Sequence, residues 1–312
     1  MLKEQVLELL AHNRASYLSG QAIAAYCGVS RTAVWKAIQQ LEGDGVSVTA
    51  KTHAGYRLAA DVLTPYDVAL PAEVSLFFYE SIDSTNTQAK RLLAEGLQGE
   101  ALLVANEQTA GRGRCGRSFY SPKDTGIYYS YIFHPAQALS DAVLITTAAA
   151  VSVVRAIERT TALKPSIKWV NDVYLGDKKV CGILTEAVSD FESGTVESVI
   201  VGIGINFNTS TFPAALEKTA GSLQAQGVTR AALLQAAVEE LRRVVADVKN
   251  PAILEDYRAH SLVLGKKVTF LKNGQAFCGT AVGIEPGGAL QVQTESGLQS
   301  LSSGEISVRL ND

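Results

Sequence analysis

Residues 111–118 run Gly-Arg-Gly-Arg-Cys-Gly-Arg-Ser, and the four residues after them, Phe119-Tyr120-Ser121-Pro122, limit the folds open to this chain. Three glycines let the backbone take positive φ and approach a ligand closely. Three guanidiniums with no acid among them suit an anion, phosphate above all. Gly111, Gly113 and Gly116 satisfy the G-x-G-x-x-G spacing of dinucleotide sites, and Gly111, Gly116, Arg117 and Ser118 come within one residue of a P-loop, with Arg in place of its Lys. Both of those folds need a helix to open directly after the glycines, its N-terminus facing the phosphate. Pro122 biases Ser121 away from helical angles, and no acid stands about 20 residues on to hold a ribose. An anion-binding loop of another kind remains, against a solvated loop with incidental arginines.

At 312 residues the chain exceeds a usual single core and predicts two or three domains, and 47% apolar content with 8 prolines is that of a globular protein. Cys27, Cys115, Cys181 and Cys278 are scattered without paired spacing, so neither a disulfide framework nor a zinc site is indicated. With no signal peptide and no membrane-length apolar run, the expected location is the cytoplasm.

Charge divides the chain near residue 60. Lys3, Arg14, Arg31, Lys36, Lys51 and Arg57 outnumber Glu4, Glu8, Glu42 and Asp44 in the first sixty residues, giving +2 there and −5 beyond, for a net −3. Lys3 to His12 is amphipathic, Gln21 to Tyr26 is a second short helix, and Cys27-Gly28-Val29 is a tight turn. Ser30 caps a third helix over Arg31 to Leu41. In that helix Val34, Ile38 and Leu41 face inward, leaving Arg31, Thr32, Trp35, Lys36 and Gln39 outside, side chains of the kinds that read bases and phosphates. Val46 to Thr49 and Tyr56-Arg57-Leu58 form a hairpin. This order is that of a winged helix-turn-helix, with Gln21, Ser30, Arg31, Thr32, Trp35, Lys36, Gln39 and Arg57 as candidate DNA contacts; a helical protein-interaction domain is the alternative. A charge of +2 binds DNA weakly in one copy, which predicts a dimer if the protein is a regulator.

Beyond a linker with Pro65 and Pro71, a strand over Val74 to Tyr79 leads to Ser84-Thr85-Asn86-Thr87 and a helix from Gln88 to Glu95. Ala101 to Ala105 is a strand that delivers Gln108 and the Gly/Arg loop. Ile127 to Phe133 is another, and Ser140 caps a long helix from Asp141 to about Thr161. Ile167 to Asp172 reads as a strand ending in a cation, an amide and a carboxylate, or else an exposed turn. Asp177-Lys178-Lys179 is a turn, Val180 to Glu186 and Val199 to Ile205 are strands, and Gly202 and Gly204 imply close approach of a ligand or backbone. Helices are predicted over Arg230 to Asp247 and Ala252 to His260. From Gly265 short strands take over, with a hairpin signal at Asn273-Gly274, and predict a small SH3-like β-barrel.

Ser84-Thr85-Asn86, Gln108 with Gly111 to Arg117, Lys168 to Asp172, Lys179 to Leu184 and Gly202 to Asn206 resemble the motifs of the biotin protein ligases, and the domain order resembles the bifunctional ligase/repressors of that family end to end. The resemblance implies an α+β multidomain protein: a winged helix over 1–60, a central mixed α/β domain like the class II synthetases over 61–262, and an SH3-like domain over 263–312. It implies that biotin and ATP, with Mg²⁺, give biotinyl-5′-AMP and pyrophosphate, and that a lysine of a biotin carboxyl carrier domain then takes the biotin. By similarity Lys179, Arg112, Arg114, Arg117 and Asp172 serve catalysis. Ser84, Thr85, Asn86, Gln108, Arg112, Gly113, Arg114, Phe119, Lys179 and Gly182 bind biotin; Gly111, Arg114, Arg117, Lys179 and Asn206 bind nucleotide. Asp172 either binds Mg²⁺ or orients Lys179. Operator DNA and a ligand-promoted homodimer are the implied partners of the winged helix, and no membrane is. Val170 stands where the family has proline, Phe119 where it commonly has tryptophan, and Cys115 at an often basic position. A lipoate-type ligase, or a transcription factor that only senses its ligand, are the rival readings.

Overall fold

The computed structural model describes residues 1–59, 61–135, 142–189, 196–272, 275–302 and 309–310. The N-terminal unit follows the expected order: α1 (Leu2–His12), α2 (Gly20–Cys27), α3 (Arg31–Gly43), then strands β1 (Val48–Lys51) and β2 (Gly55–Leu58). Ser19 and Ser30 cap α2 and α3 by accepting from Ala22 N and Ala33 N, and Gly28 takes the left-handed conformation (φ 66°) that ends α2. Val6, Leu10, Ile23, Val34, Ile38 and Leu41 close a core of their own.

The central sheet holds β3 (Ser75–Tyr79), β4 (Ala101–Ala105), β5 (Gly126–Phe133), β6 (Ser166–Lys168), β7 (Asp172–Leu175), β8 (Lys178–Ser189) and β9 (Val196–Asn206), in the order β3-β4-β5-β9-β8-β7-β6. Only β3 and β4 pair in parallel, joined by α4 (Thr85–Ala94). Helices α5 (Ala142–Thr160), α6 (Arg230–Ala246) and α7 (Pro251–Ala259) belong to the large apolar core on one face, which takes Leu102, Val104, Tyr129, Tyr131, Val201 and Ile203. Because strand residues alternate, Leu103, Ile132 and Ile200 turn to the other face, where α4 packs through Ala89.

Three expectations need correction. Helix α4 begins at Thr85, not Gln88: Ser84 is its N-cap, so Thr85 and Asn86 lie buried in its first turn. Residues 166–172 are a hairpin rather than a strand ending at Asp172; Trp169 and Val170, joined by a cis peptide, form a buried turn between β6 and β7. The C-terminal strands β10 (Lys267–Lys272), β11 (Gln275–Ile284), β12 (Leu290–Thr294), β13 (Gly297–Leu301) and β14 (Arg309–Leu310) make an antiparallel sheet in the order β13-β12-β11-β10-β14, which does not close into a barrel among the described residues. Its inner side chains, such as Phe270, Ile284 and Val292, join the central core. Ser140, Asp141 and the Asn273-Gly274 turn lie outside the described residues.

Two seams bind these parts. Buried Arg230 donates from Nε and Nη2 to Asp61 O and from Nη1 to Gly126 O (3.2 Å), while Asp61 Oδ1 accepts from Arg230 N (2.8 Å). Arg14 pairs with Asp67 at 2.5 Å. At the other end Trp169 Nε1 donates to Gly288 O (2.9 Å), and Tyr257 OH donates to Val170 O (3.1 Å).

Candidate active site

A cleft, partly open to solvent, lies on the α4 face of the sheet, lined by Ser84, Thr85, Asn86, Gln108, Arg112, Phe119, Gly182, Leu184, Gly202, Ile203 and Gly204. Register builds its floor as two rows across the sheet. Ser130, Gly202 and Leu184 form one; Tyr128, Gly204, Gly182 and Asp172 form the next. The floor is glycine because its neighbours leave no room. A Cβ on Gly202 would stand 1.9 Å from Asn86 Oδ1, and one on Gly204 2.4 Å from the Phe119 ring. Phe119 thereby roofs Gly204 and Gly182 and gives the slot an apolar wall.

The polar wall comes from the α4 N-terminus and the Gly/Arg segment. Gln108 Oε1 accepts from Thr85 N (2.9 Å), and Gln108 Nε2 donates to Ser121 Oγ (2.9 Å), so Gln108 is held at both ends. Asn86 Nδ2 donates to Leu184 O (3.2 Å) and Glu186 Oε2 (2.9 Å). Glu186 also receives Lys90 at 2.7 Å and Arg112 at 3.6 Å. Burial opposes ionisation of this carboxyl, but the Lys90 and Asn86 hydrogen bonds and the charges of Lys90 and Arg112 outweigh it and hold it below the usual glutamate range.

The loop itself is a small hairpin: Phe119 N donates to Gly111 O (2.8 Å) and Gly113 N to Arg117 O (2.7 Å), around a single tight turn at Arg114–Gly116 in which Cys115 (φ 55°) and Gly116 (φ 71°) are left-handed. No helix follows before β5, as the sequence required.

At the other end of the slot cations collect. Arg114 Nη1 donates to Asn171 Oδ1 (3.0 Å), Asn171 Nδ2 to Asp172 Oδ1 (3.0 Å), and Lys179 Nζ pairs with the same oxygen at 2.7 Å. Strict alternation along β8 would turn Lys179 away from Gly182. The register shifts between the Val173–Cys181 and Tyr174–Lys179 pairs, so Val180 is an extra residue and Lys179 Nζ comes within 3.2 Å of the Gly182 Cβ position. Carboxylate and phosphate are the ligands such a pair of cations fits.

The second surface is on the winged helix. Arg31, Thr32, Trp35, Lys36 and Gln39 are exposed along one side of α3, as is Gln21 on α2. Lys3 and Arg14 form ion pairs, with Asp44 and Asp67, whereas Arg31, Lys36, Lys51 and Arg57 form none among the described residues. Arg57 and Lys51 gather instead on the Tyr17 ring, 4.6 and 6.0 Å from its centroid. Cations left unpaired on the helix and wing, and paired behind them, suit a polyanion.

Residues 78–206 match the Biotin/lipoate A/B protein ligase family, residues 3–57 an HTH domain, and residues 263–309 the Biotin protein ligase C terminal domain. Over 98% of both chains the sequence is 35% identical to the Bifunctional ligase/repressor BirA of Bacillus spizizenii. The chain belongs to the biotin protein ligase family. The Biotin–[acetyl-CoA-carboxylase] ligase of Mycobacterium tuberculosis is 30% identical over 72% of this chain and 85% of that one. The biotin protein ligase of Aquifex aeolicus, solved with biotin and ATP, superposes with a TM-score of 0.63 at 30% identity, covering 76% of this chain and 99% of that one.

Measured against the ligase motifs, the fold brings Ser84, Thr85, Asn86, Gln108, Arg112, Phe119 and Gly182 to one cleft, and Arg114, Asp172 and Lys179 to its cationic end. Gly111 is buried at the loop root, packed against Phe119 O and Ser121 Oγ, while Gly113 and Arg117 pair across the loop with Arg117 exposed. Asn206 lies apart from the cleft lining, buried, its Nδ2 donating to Gly221 O (2.9 Å). Sequence reading missed Glu186, Leu184, Ile203 and Ser130. Only Ser130 carried a signal, as the lone hydroxyl amid Gly-Ile-Tyr-Tyr-Ser-Tyr-Ile-Phe apart from its tyrosines.

Proposed function

We propose that the protein is a biotin protein ligase that is also a biotin-responsive DNA-binding repressor. The ureido ring of biotin sits against Thr85, Gln108 and Arg112, its bicycle lies between Phe119 and the glycine floor, and its tail runs along β8 to Arg114 and Lys179. There the biotin carboxylate attacks the α-phosphate of ATP, the P–O bond to pyrophosphate breaks, and biotinyl-5′-AMP forms. A neutral carrier-domain lysine then attacks the acyl carbon and AMP leaves. Two anions must meet in the first step, so fixed cations that need no reorganisation lower its barrier. Lys179, Arg114 and the exposed Arg117 supply them, and Asp172 aims Lys179. Gly111 and Asn206 shape the walls on the nucleotide side.

Magnesium fits as a companion of the nucleotide. Among the described residues no group of three or more acidic, His or Cys side chains could hold a metal, and Mg²⁺ takes one or two carboxylates with substrate phosphates. Asp172 would be its protein ligand, and the ion would neutralise phosphate charge.

The observation that carries this reading is the slot itself, a hydrogen-bonding end, an apolar middle and a cationic end in line. A lipoyl chain would leave the polar end unpaired, a costly mismatch. Incubation with labelled biotin, ATP and a carboxyl carrier domain should label the carrier lysine; no label refutes the ligase reading. For the repressor, the unpaired cations of α3 and the wing support binding to operator DNA as a homodimer favoured by biotinyl-AMP. Operator affinity unchanged by biotin plus ATP would refute that coupling. The described residues contain no helix long and apolar enough to cross a membrane.

A further inference from the structure

Ser130 is fully buried in β5, and its Oγ stands 2.6 Å from Asn86 Oδ1 and 2.7 Å from Thr85 Oγ1. One hydroxyl proton cannot serve both. Asn86 decides which it serves. The amide atom 3.2 Å from Leu184 O and 2.9 Å from Glu186 Oε2 faces a carbonyl and a carboxylate, groups that only accept, so it is the nitrogen. The oxygen therefore faces Ser130, has no proton to give, and takes the one Ser130 carries. The remaining 2.7 Å contact needs a proton too, and Thr85 must supply it.

The consequence falls on the slot. With its proton turned to Ser130, the Thr85 hydroxyl keeps its lone pairs for the ligand. Gln108 Oε1, 3.1 Å from that hydroxyl and already accepting from Thr85 N, is spared a second donor and keeps a lone pair as well. A cyclic urea brings two N–H donors, and the slot then offers two acceptors. We propose that Ser130 is a positioning residue for substrate recognition: with Asn86 it fixes the Thr85 hydroxyl as an acceptor, so that Thr85 Oγ1 and Gln108 Oε1 each meet one ureido N–H of biotin.

The proposal rests on the placement of the ureido ring against Thr85, and the test separates the two. Binding to the full-length protein is measured by calorimetry for biotin and for its cyclic carbamate analogue, in which a ring oxygen replaces one urea N–H. Thr85→Val should weaken biotin about tenfold, the worth of one buried hydrogen bond of ~1.4 kcal/mol. If it does not, the placement itself fails. In Ser130→Ala the Thr85 proton turns to Gln108 Oε1 and one acceptor is lost. Biotin should weaken about tenfold, while the carbamate, with one N–H to place, stays within about twofold of its affinity for the parent. Ser130→Cys keeps the volume with a poor hydrogen-bonding group and should follow Ser130→Ala. Loss with Thr85→Val but none with Ser130→Ala overturns the proposal, as does equal weakening of both ligands, which a merely structural role would give.

Discussion

Arg230 tests how the two halves of the protein hold together. Its side chain is 1% exposed and its guanidinium spends its donors on Asp61 O and Gly126 O, with Asp61 at 3.5 Å and Asp124 at 3.6 Å. In Arg230→Ala, two carbonyls lose a charged donor, at about 1–3 kcal/mol for each group left dry, and a buried ion pair broken from one side costs about 3–5 kcal/mol. Both acids are themselves 31% and 40% exposed and regain water, so the ion-pair cost is largely screened, and the two carbonyls at about 1.5 kcal/mol each leave about 3 kcal/mol in all. For a domain of this size that is roughly 6–12 °C in melting temperature. Asp61 begins the linker to the winged helix, so its release should also quicken limited proteolysis between residues 61 and 71 well before either core melts. Differential scanning calorimetry with a parallel protease time course reads both. A melting shift below 2 °C together with unchanged linker cleavage would refute the clamp.

Lys179→Met should lower the rate of adenylate formation about 10²–10³-fold, seen as pyrophosphate release, with carrier loading from supplied biotinyl-AMP less affected. Asp172→Asn should lower the same rate and raise its Mg²⁺ requirement, because one carboxylate both aims Lys179 and would hold the ion; a lowered rate with the Mg²⁺ dependence unmoved would refute the metal role. Gly202→Ala places a methyl 1.9 Å from Asn86 Oδ1 and should cost about 1–3 kcal/mol in biotin binding by calorimetry. For the DNA face, four unpaired cations per chain predict a slope of about −3 to −4 per protomer in log affinity against log salt, and Arg31→Ala or Lys36→Ala should each reduce it by about one. Glu186 titrates below the usual 4.5 when folded, so its stabilisation is complete above that pH and fades as pH falls through the lower folded value; the stability gap between parent and Glu186→Gln in denaturant titrations should be flat above 4.5 and shrink below it.

The winged helix was legible because its apolar spacing and serine caps are local signals. The start of α4 was not: Thr85 and Thr87 are poor helix formers, and the turn stands because Gln108, beyond the end of β4, and Ser130 of β5 bond Thr85. The 166–172 hairpin hid behind apolar Trp169 and Val170, which are turn residues only because Tyr257 and Gly288 cover and bond them from far along the chain. Lys179 was found by its motif, but its direction depends on the Val180 bulge, which no periodicity reveals. Gly202 and Gly204 were legible as close-approach positions, although what approaches them, Asn86 and Phe119, was not. Ser130 and Glu186 went unnoticed because each matters through the bond it makes to a neighbour.

The turn that presents Asn171 and Asp172 is tied through Trp169 to Gly288, in the turn between β11 and β12 of the C-terminal sheet. Gly288 has φ 85° and packs against Val143 and Thr147 of α5, so it can neither shift nor accept a larger residue easily. The last fifty residues therefore act as a brace for the anion end of the slot without lining it. Damage there should look, to an enzymologist, like a lesion of chemistry with biotin affinity intact, and a boundary drawn by sequence for domain swapping would cut a joint on which catalysis depends.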